Sequence, residues 1–119
     1  MIRRNLEALI QIYSKEYPIV AIVGPRQSGK ATLARHMFSG YRYLSMENLD
    51  LRHMAQEDPR GFLDDYGKNI ILDEIQRVPS LFSYLQERVD QNESQASYVL
   101  TESRQFLLME KITQSLAGR

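Results

Sequence analysis

Ile22-Val23-Gly24-Pro25-Arg26-Gln27-Ser28-Gly29-Lys30-Ala31-Thr32-Leu33 is the stretch on which the reading of the chain turns. An apolar run over residues 18–23 ends in Gly24, a second glycine and a lysine follow at G-x-x-x-x-G-K spacing, and an amphipathic segment opens behind Lys30. Strand, glycine loop and helix in that order form a phosphate-binding P-loop. Glycines let consecutive backbone N–H groups point inward, the helix N-terminus adds partial positive charge, and the lysine reaches the outer phosphates. The expected ligand is a nucleoside triphosphate. The residue after the lysine should be Ser or Thr, whose hydroxyl binds Mg²⁺, and here it is Ala31.

The rest of the 119 residues sets bounds on that reading. A chain of this length forms one domain that buries about two thirds of the surface its unfolded form exposes. Acidic and basic residues balance at 15 each, so the total charge indicates neither a nucleic-acid clamp nor a membrane-surface protein. Without cysteine there is no disulfide or thiolate chemistry, and His36 and His53 stand too far apart for a metal-ligand pair, reading instead as helix-surface residues. The N-terminus lacks the apolar core of a signal peptide, and no run reaches the ~18 apolar residues of a membrane span. A cytoplasmic protein is expected.

Working outward, Ile2, Leu6, Leu9, Ile10 and Tyr13 recur at helical spacing, so residues 1–16 read as an amphipathic helix and a polar link. The helix behind Lys30 turns Leu33, Ala34 and Met37 inward and closes near Ser39-Gly40. A strand over residues 41–46 follows. A capped helix over residues 51–57 is stopped by Asp58-Pro59, because the residue before proline avoids helical backbone. Residues 61–66 read as a short helix closed by Gly67, and residues 69–74 as an apolar strand leaving through two carboxylates, Asp73 and Glu74. Pro79 opens a helix with Leu81, Phe82, Leu85 and Val89 on one face. A polar loop over residues 90–95, a strand over residues 97–101 and a last helix carrying Leu108, Ile112 and Leu116 complete the chain.

Strands alternating with helices predict an α/β fold of the P-loop type, a mostly parallel sheet of about four strands with helices on both faces. Ligands of such sheets sit at the carboxyl ends of the strands, where residues 24–30, Asp73-Glu74 and residues 101–103 converge. Phosphoryl transfer needs the γ-phosphate held, its charge neutralised and a water aimed in line. Lys30 is the candidate for the phosphates and Asp73 for Mg²⁺, directly or through water. Glu74 is the candidate to orient or deprotonate the attacking water. Gly24, Pro25, Arg26, Gln27, Ser28, Gly29, Lys30, Ala31 and Thr32, with Thr101 and Ser103 on the neighbouring strand, complete the expected nucleotide site. Each feature alone has a plainer meaning: a chance glycine-lysine match, a solvated strand end, a cap or turn, a surface Arg77 or Arg104. Their order along one chain is what favours the phosphate site.

Collected, these residues resemble the AAA-like, ATP-binding P-loop domain of bacterial and archaeal ATPases that carry a second, C-terminal domain, the DUF4143 family. The matching stretches are residues 24–30; Glu47-Asn48 with Asp50 and Arg52; Asp58-Pro59 with Phe62-Leu63; residues 72–79; and residues 115–119. The resemblance implies binding of ATP or ADP with Mg²⁺ and a P-loop fold of the additional-strand type. Three departures bear on it. Ala31 stands where the family has Thr, and Thr32, one residue on, is turned about 100° around the helix and should point elsewhere. Thr101-Glu102-Ser103 stands where the family has Thr-Gly-Ser, which would bring a repelling carboxylate near the phosphates. Family members continue past Gly118-Arg119, so the chain reads as a partial domain whose P-loop strand becomes a sheet edge, covered by a second copy, by the C-terminal domain or by a partner.

The leading expectation is therefore an ATP-binding domain of an AAA-like ATPase whose hydrolysis is impaired by Ala31 and by truncation. The alternative is a non-enzymatic remnant or assembly module that keeps the fold without nucleotide turnover. Nucleic-acid contact through Arg3, Arg4, Arg26 and Arg35 is disfavoured by the zero net charge and the lack of interleaved aromatics.

Overall fold

In the computed structural model, which describes residues 17–25, 29–89 and 96–103, four strands form one sheet in the order β1-β4-β3-β2. These are β1 (Ile19–Gly24), β2 (Arg42–Ser45), β3 (Ile70–Asp73) and β4 (Tyr98–Ser103), and every pairing is parallel. Helix α1 (Lys30–Met37) links β1 to β2; α2 (Leu49–Glu57) and α3 (Pro59–Tyr66) link β2 to β3; a 3₁₀ turn (Ile75–Arg77) and α4 (Pro79–Arg88) link β3 to β4. The chain crosses the sheet from β1 to β2 on one face and returns through β3 and β4 on the other. Right-handed crossovers dictate this arrangement. The α/β architecture is the one expected.

The pleat divides the core cleanly. Ile70 and Leu72 of β3 and Tyr98 and Leu100 of β4 face α2, α3 and α4, where they meet Phe62, Leu63, Leu81 and Leu85. Ile71 and Val99 face the other way, with Val20, Ile22 and the α1 residues Leu33 and Ala34. Because successive side chains alternate between faces, Asp73, Thr101 and Ser103 share the α1 side. Each of the wholly buried Ile70, Ile71 and Leu72 contributes about 2 kcal/mol relative to leaving it in water.

Local chemistry sets the helix ends, with some differences from the sequence reading. Asn48 caps α2 by accepting from the Leu51 amide at 3.0 Å, so the helix starts at Leu49. Asp58-Pro59 both stops α2 and starts α3: Asp58 accepts from the Gly61 amide at 3.1 Å and Pro59 takes the first helical position. Phe82 does not share the inward stripe of α4. It is 38% exposed, because Leu81 and Leu85 at i, i+4 fill the buried face and Phe82 lies about 100° around from Leu81. Helix α1 ends at Met37, capped by Phe38, rather than at Ser39-Gly40.

Among the described residues β1 pairs with β4 alone, and no helix is long and apolar enough to cross a membrane. The helices expected over residues 1–16 and around Leu108, Ile112 and Leu116, the loop over residues 90–95, and Arg3, Arg4, Arg26, Gln27, Ser28 and Arg104 lie outside the described residues.

Candidate phosphate-binding site

The four strands end side by side: Gly24 pairs with Ser103 and Ser45 with Asp73 in register. At this carboxyl edge a cavity of about 360 Å³ is lined by Gly29, Lys30, Ala31, Thr32, Tyr43, Glu47, Asp73 and Glu74. Its position is set by β1 feeding α1, whose N-cap Gly29 is left-handed at φ 84°, ψ 11°. That conformation is open to glycine at no steric cost. It places Lys30 at the first helical position, where the first-turn amides have no acceptors within the helix. The first turn carries no acidic residue, so its partial positive charge is uncompensated by its own sequence.

Lys30 is 7% exposed and points across the groove. Its ammonium lies 2.9 Å from Glu74 Oε2 and donates to Ser103 Oγ at 3.2 Å. Ser103 Oγ in turn donates to Glu74 Oε1 at 2.6 Å, as does Gln76 Nε2, also at 2.6 Å. Burial works against ionisation of Glu74, but the hydrogen bonds from Ser103, Gln76 and Lys30 and the lysine charge outweigh it and hold the carboxyl below its ordinary range. Glu74 is itself left-handed, at φ 55°, ψ 52°. For a non-glycine residue this costs of order 1–3 kcal/mol. The conformation is held by Thr101, whose hydroxyl accepts from the Glu74 amide at 2.9 Å.

Asp73 is 4% exposed and held from two sides. Thr101 donates to Oδ1 at 2.5 Å, while Tyr43 at 2.8 Å and Ser45 at 3.2 Å donate to Oδ2. Burial first, then the hydrogen bond and charge of Asp73, push the Tyr43 phenol up to about 12, so it keeps its proton at neutral pH. Arg35 lies over the Tyr43 ring, 4.6 Å from its centroid. Glu47, at the rim, pairs with Arg77 at 3.7 Å.

Of the residues singled out in the sequence, Gly29, Lys30, Ala31, Thr32, Asp73 and Glu74 line one cavity. Gly24 stands at the end of β1, followed by Pro25, and Arg26, Gln27 and Ser28 lie outside the described residues. Thr32, expected to turn away, contributes to the cavity wall beside Ala31. Thr101 and Ser103 stand behind Asp73 and Glu74, both fully buried, with their hydroxyls engaged by those acids. Glu102 corrects the sequence reading. Strand alternation puts its side chain on the face opposite Thr101 and Ser103, away from the cavity, where burial alone raises its pKa. Tyr43 and Ser45 were not singled out, and Glu47 and Gln76 entered only as parts of the stretches that carry the resemblance. Two hydroxyl residues at period two, Tyr43 and Ser45, flanking the buried Leu44 were the signal, legible only once β2 is known to lie beside β3.

Residues 16–119 match a family model described as an AAA domain. The uncharacterized protein Mb2031c of Mycobacterium bovis is 33% identical over 120 residues, which cover 98% of this chain and 27% of that protein. The uncharacterized protein Rv2008c of Mycobacterium tuberculosis gives the same values. The chain thus spans about a quarter of the length of the curated relatives it matches.

Proposed function

This chain belongs to the AAA domain family, and on that premise we propose that it binds ATP or ADP by its phosphates at the N-terminus of α1, with Mg²⁺, and hydrolyses ATP weakly. The observation that carries the reading is Lys30: a buried ammonium, at the first position of a helix, in a cavity shared with Asp73 and Glu74.

The donor set fits the ligand. The first-turn amides and Lys30 supply positive charge to the outer phosphates, with Lys30 leaving Glu74 to meet them. Among the described residues no group of three or more acids and histidines is placed to hold a metal ion alone. That suits Mg²⁺, which takes one or two carboxylates and fills its remaining positions with phosphate and water. Asp73 is the residue to hold it; when bound, the ion neutralises charge that develops on the transferring phosphoryl group. Glu74, freed from Lys30 but still hydrogen-bonded to Gln76 and Ser103, orients and accepts a proton from the attacking water. Thr101 fixes both acids from behind. Ala31 offers no hydroxyl, so the loss falls on turnover more than on binding.

The motifs that resemble the DUF4143 family support reading the chain as the N-terminal ATPase portion of such a protein. A second reading, an assembly module without turnover, is favoured by Ala31, which lacks the hydroxyl expected at the cation. Isothermal titration with ATP, with and without Mg²⁺, alongside phosphate release, separates the two. Binding with slow release supports the proposal. Absence of binding overturns it and leaves the module, whereas rapid Mg²⁺-dependent release unchanged in Ala31→Thr overturns the impairment.

A further inference from the structure

From the placement of Tyr43 we infer that its hydroxyl, carried on β2, takes over at the cation site the part that the side chain of residue 31 cannot play. The inference rests on the nucleotide reading above and names a positioning residue for that site.

Three observations meet at this point. Tyr43, Ala31 and Asp73 line the same cavity. The phenol donates to Asp73 Oδ2 at 2.8 Å, making it a hydroxyl that engages the candidate Mg²⁺ carboxylate from the cavity wall. Thr101 reaches the other oxygen, but from a fully buried position. Ser45 reaches the same oxygen at the longer distance of 3.2 Å and also accepts from the Glu47 amide, so its hydroxyl is shared.

Helix geometry explains why the two positions form a unit. Ala31 and Arg35 are four residues apart and lie on one side of α1. Arg35 sits over the Tyr43 ring at 4.6 Å, which lays the tyrosine along that side of the helix, its hydroxyl directed toward the strand end and Asp73. A small side chain at 31 leaves that lane open. The hydroxyl lost from the helix is therefore matched by one gained from the strand. Its oxygen retains a free lone pair after donating to Asp73, available to a water in the shell of a hard cation. A phenol is a poorer direct ligand than an alkoxyl, so Tyr43 sustains Mg²⁺-dependent binding without restoring full turnover.

The test is titration calorimetry of ATP in MgCl₂ and in EDTA, with binding as its readout. Mg²⁺ should tighten wild-type binding by about tenfold or more, and Tyr43→Phe should reduce that ratio to about threefold or less. Ala31→Thr placed in the Tyr43→Phe background should recover the ratio. Tyr43→Phe keeps the ring under Arg35, and a melting curve within a few degrees of wild type verifies the fold. Mn²⁺ electron paramagnetic resonance in the presence of ATP reads the cation directly, and Tyr43→Phe should weaken the protein-bound Mn²⁺ signal. A Mg²⁺ ratio unchanged in Tyr43→Phe, or absent from the wild type, overturns the role of Tyr43 and leaves nucleotide binding standing. Failure of the wild type to bind ATP under either condition overturns the nucleotide reading itself.

Discussion

Lys30 Nζ lies 2.9 Å from Glu74 Oε2, with the two side chains only 7% and 6% exposed. The groups proposed to meet phosphate and water thus pair with each other. On the proposed reading, phosphate and Glu74 compete for the Lys30 ammonium.

Glu74→Gln removes the competing charge and leaves Lys30 buried without a counter-ion, a change that is destabilising when one member of a buried pair is lost. The free variant should melt below wild type, and ATP should raise its melting temperature by more than it raises that of wild type, because phosphates replace the missing carboxylate. Phosphate release should fall about 10²-fold or more with the loss of the base. Differential scanning fluorimetry with and without ATP, beside a release assay, measures both. An ATP-induced shift smaller than wild type would refute the competition.

Thr101 holds Asp73 and Glu74 with one hydroxyl, donating to the former at 2.5 Å and accepting from the amide of the latter at 2.9 Å. Thr101→Val keeps the shape and strands a buried amide, which costs about 1–3 kcal/mol. It also releases the left-handed turn at Glu74. Thr101→Ser keeps the hydroxyl and should cost much less. Urea midpoints of the three proteins give the comparison, and a Ser variant as destabilised as the Val variant would show that the hydroxyl is not what holds the two acids.

The fold and the poles of the site were legible because their signals are local. Gly29-Lys30 and Asp73-Glu74 each carry their meaning in adjacent residues, and strand–helix alternation fixes a parallel sheet. The insertion of β4 between β1 and β3 comes from no local signal, nor does the pairing of β2 with β3, and the lateral relations depend on both: Thr101 reaches Asp73 from β4, Tyr43 and Ser45 reach it from β2, and Ser103 meets Gln76. Glu102 was misplaced because the alternation of side chains along the strand was not applied to it. Its sequence neighbours Thr101 and Ser103 hydrogen-bond Asp73 and Glu74, but the pleat turns Glu102 to the other face. Phe82 looked inward because apolarity was read without the exact helical phase that Leu81 and Leu85 impose.

Glu102 and Glu74 should respond to pH with opposite sign. Hydrogen bonds from Ser103, Gln76 and Lys30 overcome the effect of burial on Glu74 and depress its folded pKa below 4.5, so its stabilisation is complete above the unfolded value and drains away as pH falls through the folded one. Burial alone raises Glu102 above 4.5. Its folded form binds a proton more tightly than the unfolded chain does, so its charge costs stability as pH rises through and beyond that range. Glu102→Gln should therefore raise the urea midpoint at pH 7, with the gain disappearing below about pH 4. A gain of equal size at both pH values would trace it to packing rather than ionisation.

Gly29 separates the cost of backbone geometry from that of crowding. A Cβ built there meets no atom within 4 Å, so Gly29→Ala introduces no collision, yet φ stands at +84°. Forcing an alanine into that region costs about 1–2 kcal/mol. The alternative is to rotate out of it, which moves the carbonyl that accepts from the Leu33 amide at 2.8 Å and unwinds the turn presenting Lys30. Either way ATP affinity should fall, and if the turn rotates it should fall further than the stability loss implies. Asparagine tolerates left-handed backbone better than alanine, so Gly29→Asn should lie between alanine and wild type in both quantities. Paired urea denaturation and ATP titration of the three proteins test the ordering. Alanine binding ATP as tightly as glycine would mean that the left-handed turn is not what aims the first-turn amides at the phosphates.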